Sequence, residues 1–212
     1  MNEGMDGLER IAAGLARLPA PEAPAFFDPA TLAEAIQVRY AARGFGGPVR
    51  HALGVALRAR VPCRAAHLAD LLTDPEVQRE TLGARSVERL GEVRRWAPDR
   101  TETSYRVVKT DVGAGPIRVT LVFSVTVERW DAPDGSIWIR YDPRPAGEVR
   151  NVTYWRGLAR IDPQGDGALF SEILVMGTDL TVPPLLGGAL RTLARDTLKD
   201  ARRNLLLRAA AR

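Results

Sequence analysis

At 212 residues, with 45% apolar and 26% charged positions, the chain has the make-up of one large globular domain, with or without an extension, and not of a disordered polymer. Its net charge of +4 comes from 30 basic and 26 acidic residues that are interspersed, with no basic block among aromatics, so no nucleic-acid partner is expected. Nowhere does an apolar run reach the ~18–20 residues that cross a bilayer. The opening residues lack the basic-then-apolar order of a secretory leader. Cys63 stands alone, which excludes a disulfide framework or a cysteine metal cluster. The expectation is a cytoplasmic protein from an Arg-, Ala- and Pro-rich bacterial proteome.

In chain order, Leu8, Ile11, Ala12 and Leu15 recur at i, i+3, i+4 and i+7, which predicts a short amphipathic helix over 4–18. A proline-rich connector follows. Asp28 before Pro29 reads as an N-cap with proline at the first helical position, and predicts a second helix over 29–43, stopped at Gly44. Residues 1–47 are therefore expected to form a helical extension, in which Phe26 and Phe27 would suit a lid, and residues 48–212 the main domain.

That domain opens with a strand over 49–61, with Leu53, Val55 and Leu57 on one face, ended by Pro62. Residues 63–72 read as a helix, broken by TDPE, with a second short helix running to Leu82. Strands are predicted over 84–90 and 103–112. The tight connection Gly113-Ala114-Gly115-Pro116 then makes a hairpin with the next run.

That run, PIRVTLVFSVTVERW over 116–130, is the clearest signal in the chain. Ile117, Val119, Leu121, Phe123, Val125 and Val127 alternate with mostly polar even positions. Sustained period-two alternation in β-branched residues predicts a long strand with one dry and one wet face. Further strands are read in SIWIRY, over 149–161 and in ALFSEILVMG, which makes six or seven antiparallel strands joined mostly by short turns. Beyond Pro183 and Pro184, the residues Leu186, Leu190, Leu193, Ala194, Thr197, Leu198, Ala201 and Leu205 form one largely apolar stripe at helical spacing. Arg191, Arg195, Lys199, Arg202 and Arg203 are read on the opposite side. A helix of about 25 residues would span ~37 Å. It should lie across the concave face of the sheet.

Chemistry-bearing patterns are sparse. His51 and His67 have no carboxylates at metal-ligand spacing. Cys63 and His67 would stand i, i+4 if a helix began early, but no oxyanion-hole motif or third group accompanies them. No glycine-rich phosphate loop is present. Glu172 and Asp179 would suit acid–base work if they pointed into an apolar cavity, where burial raises a carboxyl pKa. An ion pair between Glu172 and an arginine on a neighbouring strand is the plainer expectation. No catalytic residue, metal or cofactor is assigned.

The order strand, two short helices, antiparallel strands and one long C-terminal helix resembles the helix-grip fold of the START-like (SRPBCC) superfamily, which includes Bet v 1-like and polyketide cyclase/dehydrase-like proteins. ARVPCRAAHLADLLTDPE over 59–76 is similar to that family's first strand, proline and helix. ARSVERLGE over 84–92 is similar to its next strand, and YWRGLARIDP followed by ALFSEILVM to its last two. The resemblance covers residues 49–210, and the preceding 47 residues exceed what compact members carry.

The resemblance implies an α+β fold: a curved antiparallel sheet wrapped around the C-terminal helix, with a hydrophobic pocket between them. The residues expected to line it are Tyr105, Val119, Leu121, Phe123, Val125, Ile139, Tyr141, Trp155, Leu186, Leu190 and Leu193, with the tyrosine hydroxyls as polar handles. The implied partner is a lipid-like or other hydrophobic small molecule, bound without catalysis and open to transport, with transient membrane contact compatible with this reading. Two other functions are compatible with the fold: a polyketide cyclase/aromatase-like enzyme, and an interaction module with a filled core.

Overall fold

The computed structural model describes residues 36–42, 50–112, 119–144, 149–181 and 187–211; for 37–42, 111–112, 187, 189–191 and 193–194 the backbone alone is described. Strands β1 (Ile36–Ala42) and β2 (His51–Val61) are followed by helices α1 (Ala65–Thr73) and α2 (Pro75–Leu82). Then come β3 (Ser86–Arg89), β4 (Arg94–Ala97), β5 (Arg100–Val112), β6 (Val119–Asp131), β7 (Ile137–Pro143), β8 (Tyr154–Gln164) and β9 (Gly167–Thr178), and last α3 (Gly187–Ala210). All described pairings between named strands are antiparallel, in the order β1-β2-β9-β8-β7-β6-β5-β3, with β4 also on β5.

The seven strands read from the sequence are present, and the sheet has nine among the described residues. The helix expected over 29–43 is corrected for its described part. Ile36–Ala42 is a strand, paired residue by residue with β2 from Ile36↔Leu57 to Ala42↔His51. Pairing to an edge has overridden a local helical pattern. This part of the expected extension is thus built into the sheet. The four-residue β4, too short to show alternation, escaped the sequence reading. The helix over 4–18, the Phe26–Phe27 lid and the 113–116 connection lie outside the described residues.

Register decides which side chains meet, because directly paired residues share a face. One row across the sheet runs Leu57, Glu172, Ala159, Ile139 and Arg129; the next runs Val55, Leu174, Gly157, Tyr141 and Val127. These rows belong to the inner face, where Val55, Ile139, Tyr141, Ala159 and Leu174 join one core cluster. The outer face carries Trp130 stacked on Trp138, the Arg160 guanidinium above the Trp138 ring, and ion pairs such as Arg140–Asp142 at 2.9 Å.

The helices close one end of this face. Asp74 caps α2 through Oδ1, accepting from the backbone N–H of Glu76 at 2.8 Å and Val77 at 3.3 Å, with Pro75 at its start. Gly83, at φ 59°, ends it in the left-handed conformation. The Tyr105 hydroxyl donates to the Thr73 carbonyl at 2.5 Å, and Arg129 pairs with Asp70 at 2.6 Å, so α1 is tied to β5 and β6. Helix α3 packs against β1, β2, α1 and α2, with Leu198, Ala201, Leu205, Leu206 and Ala209 buried. Arg208 reaches Glu80 on α2.

Candidate functional site on the inner face of the sheet

The alternation in β6 places Leu121, Phe123, Val125 and Val127 inward, and Tyr105, Ile139, Tyr141 and Trp155 join them from β5, β7 and β8. Seven of the expected pocket residues are thereby gathered in one buried cluster: Tyr105, Leu121, Phe123, Val125, Ile139, Tyr141 and Trp155. Val119 packs against it, partly buried. Leu186 lies outside the described residues, and Leu190 and Leu193 are described by backbone alone. Phe123 and Trp155 stack with centroids 4.5 Å apart and planes at 18°.

Burial varies across this face. Ile139, Ala159, Ile161, Phe170 and Leu205 are 0% exposed, whereas Leu121, Phe123, Tyr141, Trp155 and Leu198 keep 6–9%.

On this face stands a charged pair that the sequence placed differently. Arg202, assigned to the outer side of the last helix, is buried. Its guanidinium closes on Glu172 of β9, Nε to Oε2 at 2.5 Å and Nη2 to Oε1 at 2.8 Å. Glu172 therefore points inward, and its partner is on the helix, not on a neighbouring strand. This is the one ion pair among the described residues with both side chains buried. Burial works against the Arg202 charge, but the Glu172 carboxylate, Tyr141 and the direct hydrogen bond outweigh it and raise the Arg202 pKa.

Tyr141 stands beside this pair. Gly157 makes that approach feasible: a Cβ there would fall 2.8 Å from Leu174 Cδ1 and 3.1 Å from Tyr141 Cδ2, so the ring uses the space that a side chain on β8 would fill. Burial, reinforced by the Glu172 charge and opposed by Arg202, pushes the Tyr141 hydroxyl far above its ordinary pKa. Burial also raises Tyr105. The Tyr105 hydroxyl is spent on the Thr73 carbonyl, so of the two tyrosines expected as polar handles, Tyr105 serves to tie strand to helix.

The other chemical pairings do not assemble. Cys63 precedes the first residue of α1 by two positions, and burial raises its thiol pKa, which makes it a weak nucleophile. His67 Nε2 is buried without a hydrogen-bond partner. Glu172 and Asp179 are seven residues apart along β9 and its exit, about 23 Å at strand rise, and Glu172 is committed to Arg202. Among the described residues no cluster of His, Cys, Asp and Glu could hold a metal ion. No described helix is long and apolar enough to cross a membrane. A groove of about 390 Å³ on the outer face is lined by charged groups including Arg94, Glu102, Arg140, Asp142 and Arg144.

No family model and no curated protein sequence matches the chain. Solved structures do. Human StAR-related lipid transfer protein 5 superposes with a TM-score of 0.55 at 9% identity, over 98% of this chain and 96% of that one. A STAR-related lipid transfer protein from Xanthomonas axonopodis gives 0.49 at 19% identity, over 81% and 94%. The Zhui aromatase/cyclase from Streptomyces gives 0.46 at 14%, over 83% and 95%. The fold is the START-like (SRPBCC) helix-grip fold, α+β, with a large curved antiparallel sheet and a C-terminal helix.

Proposed function

We propose that this START-like helix-grip domain binds a lipid-like or other hydrophobic small molecule between the inner face of the sheet and α3. The observation that carries the reading is the gathering of seven expected pocket residues in one buried apolar cluster on that face. Within it Leu121, Phe123, Tyr141 and Trp155 remain 6–9% exposed, as does Leu198 of α3. Removing such surface from water contributes ~25 cal/mol per Å² to binding. An apolar site with few polar groups is the usual make-up of a small-molecule pocket. Shared fold with a lipid transfer protein agrees with this reading, and fold alone does not choose a ligand.

A cyclase-like enzyme would need Glu172 or Tyr141 to move protons. Both Glu172 oxygens are engaged by Arg202, which leaves the non-catalytic reading the simpler one. The test is native mass spectrometry of the purified chain, with organic extraction of whatever accompanies it and titration with the neutral apolar dye Nile red. The expected result is a bound apolar molecule or saturable dye binding, lost in Phe123→Asp while the far-ultraviolet circular dichroism is kept. A bare mass together with no dye binding would sink the reading and favour an interaction module with a filled core.

A further inference from the structure

We propose that the outer face of the sheet carries a binding groove for a small dipolar molecule, an ω-amino acid or a short peptide with free ends, its carboxylate and ammonium well separated. The groove lies on the opposite side of the sheet from the apolar cluster, and the proposal does not depend on the ligand proposed there.

The groove comes from side-chain length. Ser104 of β5 and Thr126 of β6 are directly paired and form its floor, with hydroxyl oxygens 3.3 Å apart. Leu90, just after β3, walls it on one side, and Pro143 and Arg144 at the end of β7 on the other. Backbone hydrogen bonds fix both walls: the Leu90 N–H donates to the Ser104 carbonyl at 2.7 Å, and the Arg144 N–H to the Ser124 carbonyl at 3.0 Å. Two short hydroxyl side chains among long neighbours leave a volume of about 390 Å³. A second groove shares Arg140, Asp142 and Pro143 with the first and carries it on to Arg156 of β8.

Charge is segregated along it. At the β7–β8 end, Arg140, Arg144 and Arg156 face one carboxylate, Asp142, which accepts from Arg140 and Arg156 at 2.9 Å each. Buried Glu128 is shared by Arg100 and Arg140, and the Arg100 charge offsets it. Arg144 has no ion-pair partner among the described residues. At the β4–β5 end, Glu92 and Glu102 outnumber Arg94, which stands 3.9 Å from Glu102. One end thus holds surplus positive charge and the other surplus negative charge. From β5 to β7 they are two strand spacings apart, about 10 Å. An ion with one charge satisfies one end and is repelled by the other, whereas a molecule carrying both charges meets both. Guanidinium groups receive a carboxylate through paired N–H donors. The floor hydroxyls, each both donor and acceptor, suit an amide or hydroxyl between the two charges.

The probes are 6-aminohexanoate, hexanoate and hexylammonium, each titrated into the full chain at pH 7 and one fixed ionic strength, with backbone amide NMR shifts as the readout. 6-Aminohexanoate should bind saturably at Ser104, Thr126 and Asp142, with a Kd about tenfold below that of either singly charged probe. Glycine, too short to reach both ends, should gain nothing over acetate. Arg144→Ala should weaken 6-aminohexanoate and hexanoate and leave hexylammonium unchanged. Glu102→Gln should weaken 6-aminohexanoate and hexylammonium and leave hexanoate unchanged. Amide shifts remote from the groove check that each variant keeps the fold. Hexanoate binding the unmodified protein as tightly as 6-aminohexanoate overturns the proposal, and needs no variant to fold. So do shifts confined to inner-face residues such as Phe123 and Tyr141, and so does the absence of any saturable shift.

Discussion

Arg202 and Glu172 meet through two hydrogen bonds of 2.5 and 2.8 Å, with side chains 4% and 0% exposed, so one strand and the last helix are joined by a charge pair out of water. Removing one partner strands the other as a buried, unpaired charge. Glu172→Gln or Arg202→Met alone should destabilise the protein by about 3–5 kcal/mol, while the double variant Glu172→Met/Arg202→Met should lie close to the parent. Urea unfolding of the four proteins measures this. Equal losses for the single and double variants would show that the pair adds favourable energy beyond its own desolvation.

Gly157 offers a steric test. A methyl group there meets the Ile173 carbonyl oxygen at 3.1 Å as well as the movable ends of Leu174 and Tyr141. The backbone oxygen cannot step aside, so Gly157→Ala should cost about 1–3 kcal/mol. Thermal unfolding reads this; a variant as stable as the parent would contradict the packing described.

The raised hydroxyls predict an alkaline limit. An unfolded tyrosine titrates near 10, and Tyr141 and Tyr105 titrate higher when folded. Between those values the native state holds protons that the unfolded state has released, so stability falls as pH rises. It is unaffected by these groups below pH 10. Denaturant titrations from pH 8 to 11 should show a decline that is shallower in Tyr141→Phe. An identical decline in that variant would contradict the burial of this hydroxyl.

Much of the fold was legible because it rests on local pattern. The alternation through Val119, Leu121, Phe123, Val125 and Val127 identified both the strand and its inner face. The stretch 36–42 was misread because its partner, β2, is what makes it a strand. Arg202 was misplaced for a different reason. It lies four residues after Leu198 and three before Leu205, both buried, so helical geometry puts it at the edge of the apolar stripe. Its charge argued for the outer side. The carboxylate that permits burial is thirty residues away, on a strand whose two faces are almost equally apolar. Long-range pairing of this kind leaves no periodic trace in a sequence.

The central claim, an apolar ligand on the inner face, is tested most directly by tryptophan fluorescence. Of the four tryptophans, Trp155 belongs to the inner cluster, Trp130 and Trp138 stack on the outer face, and Trp96 is 62% exposed. Titration with Nile red should quench the protein's emission by energy transfer, and most strongly from Trp155. Trp155→Phe should therefore lose most of the short-range quenching while dye binding persists, and Trp138→Phe should keep it. Quenching that disappears with Trp138 or Trp96 and survives in Trp155→Phe would place the dye on the outside and contradict the account.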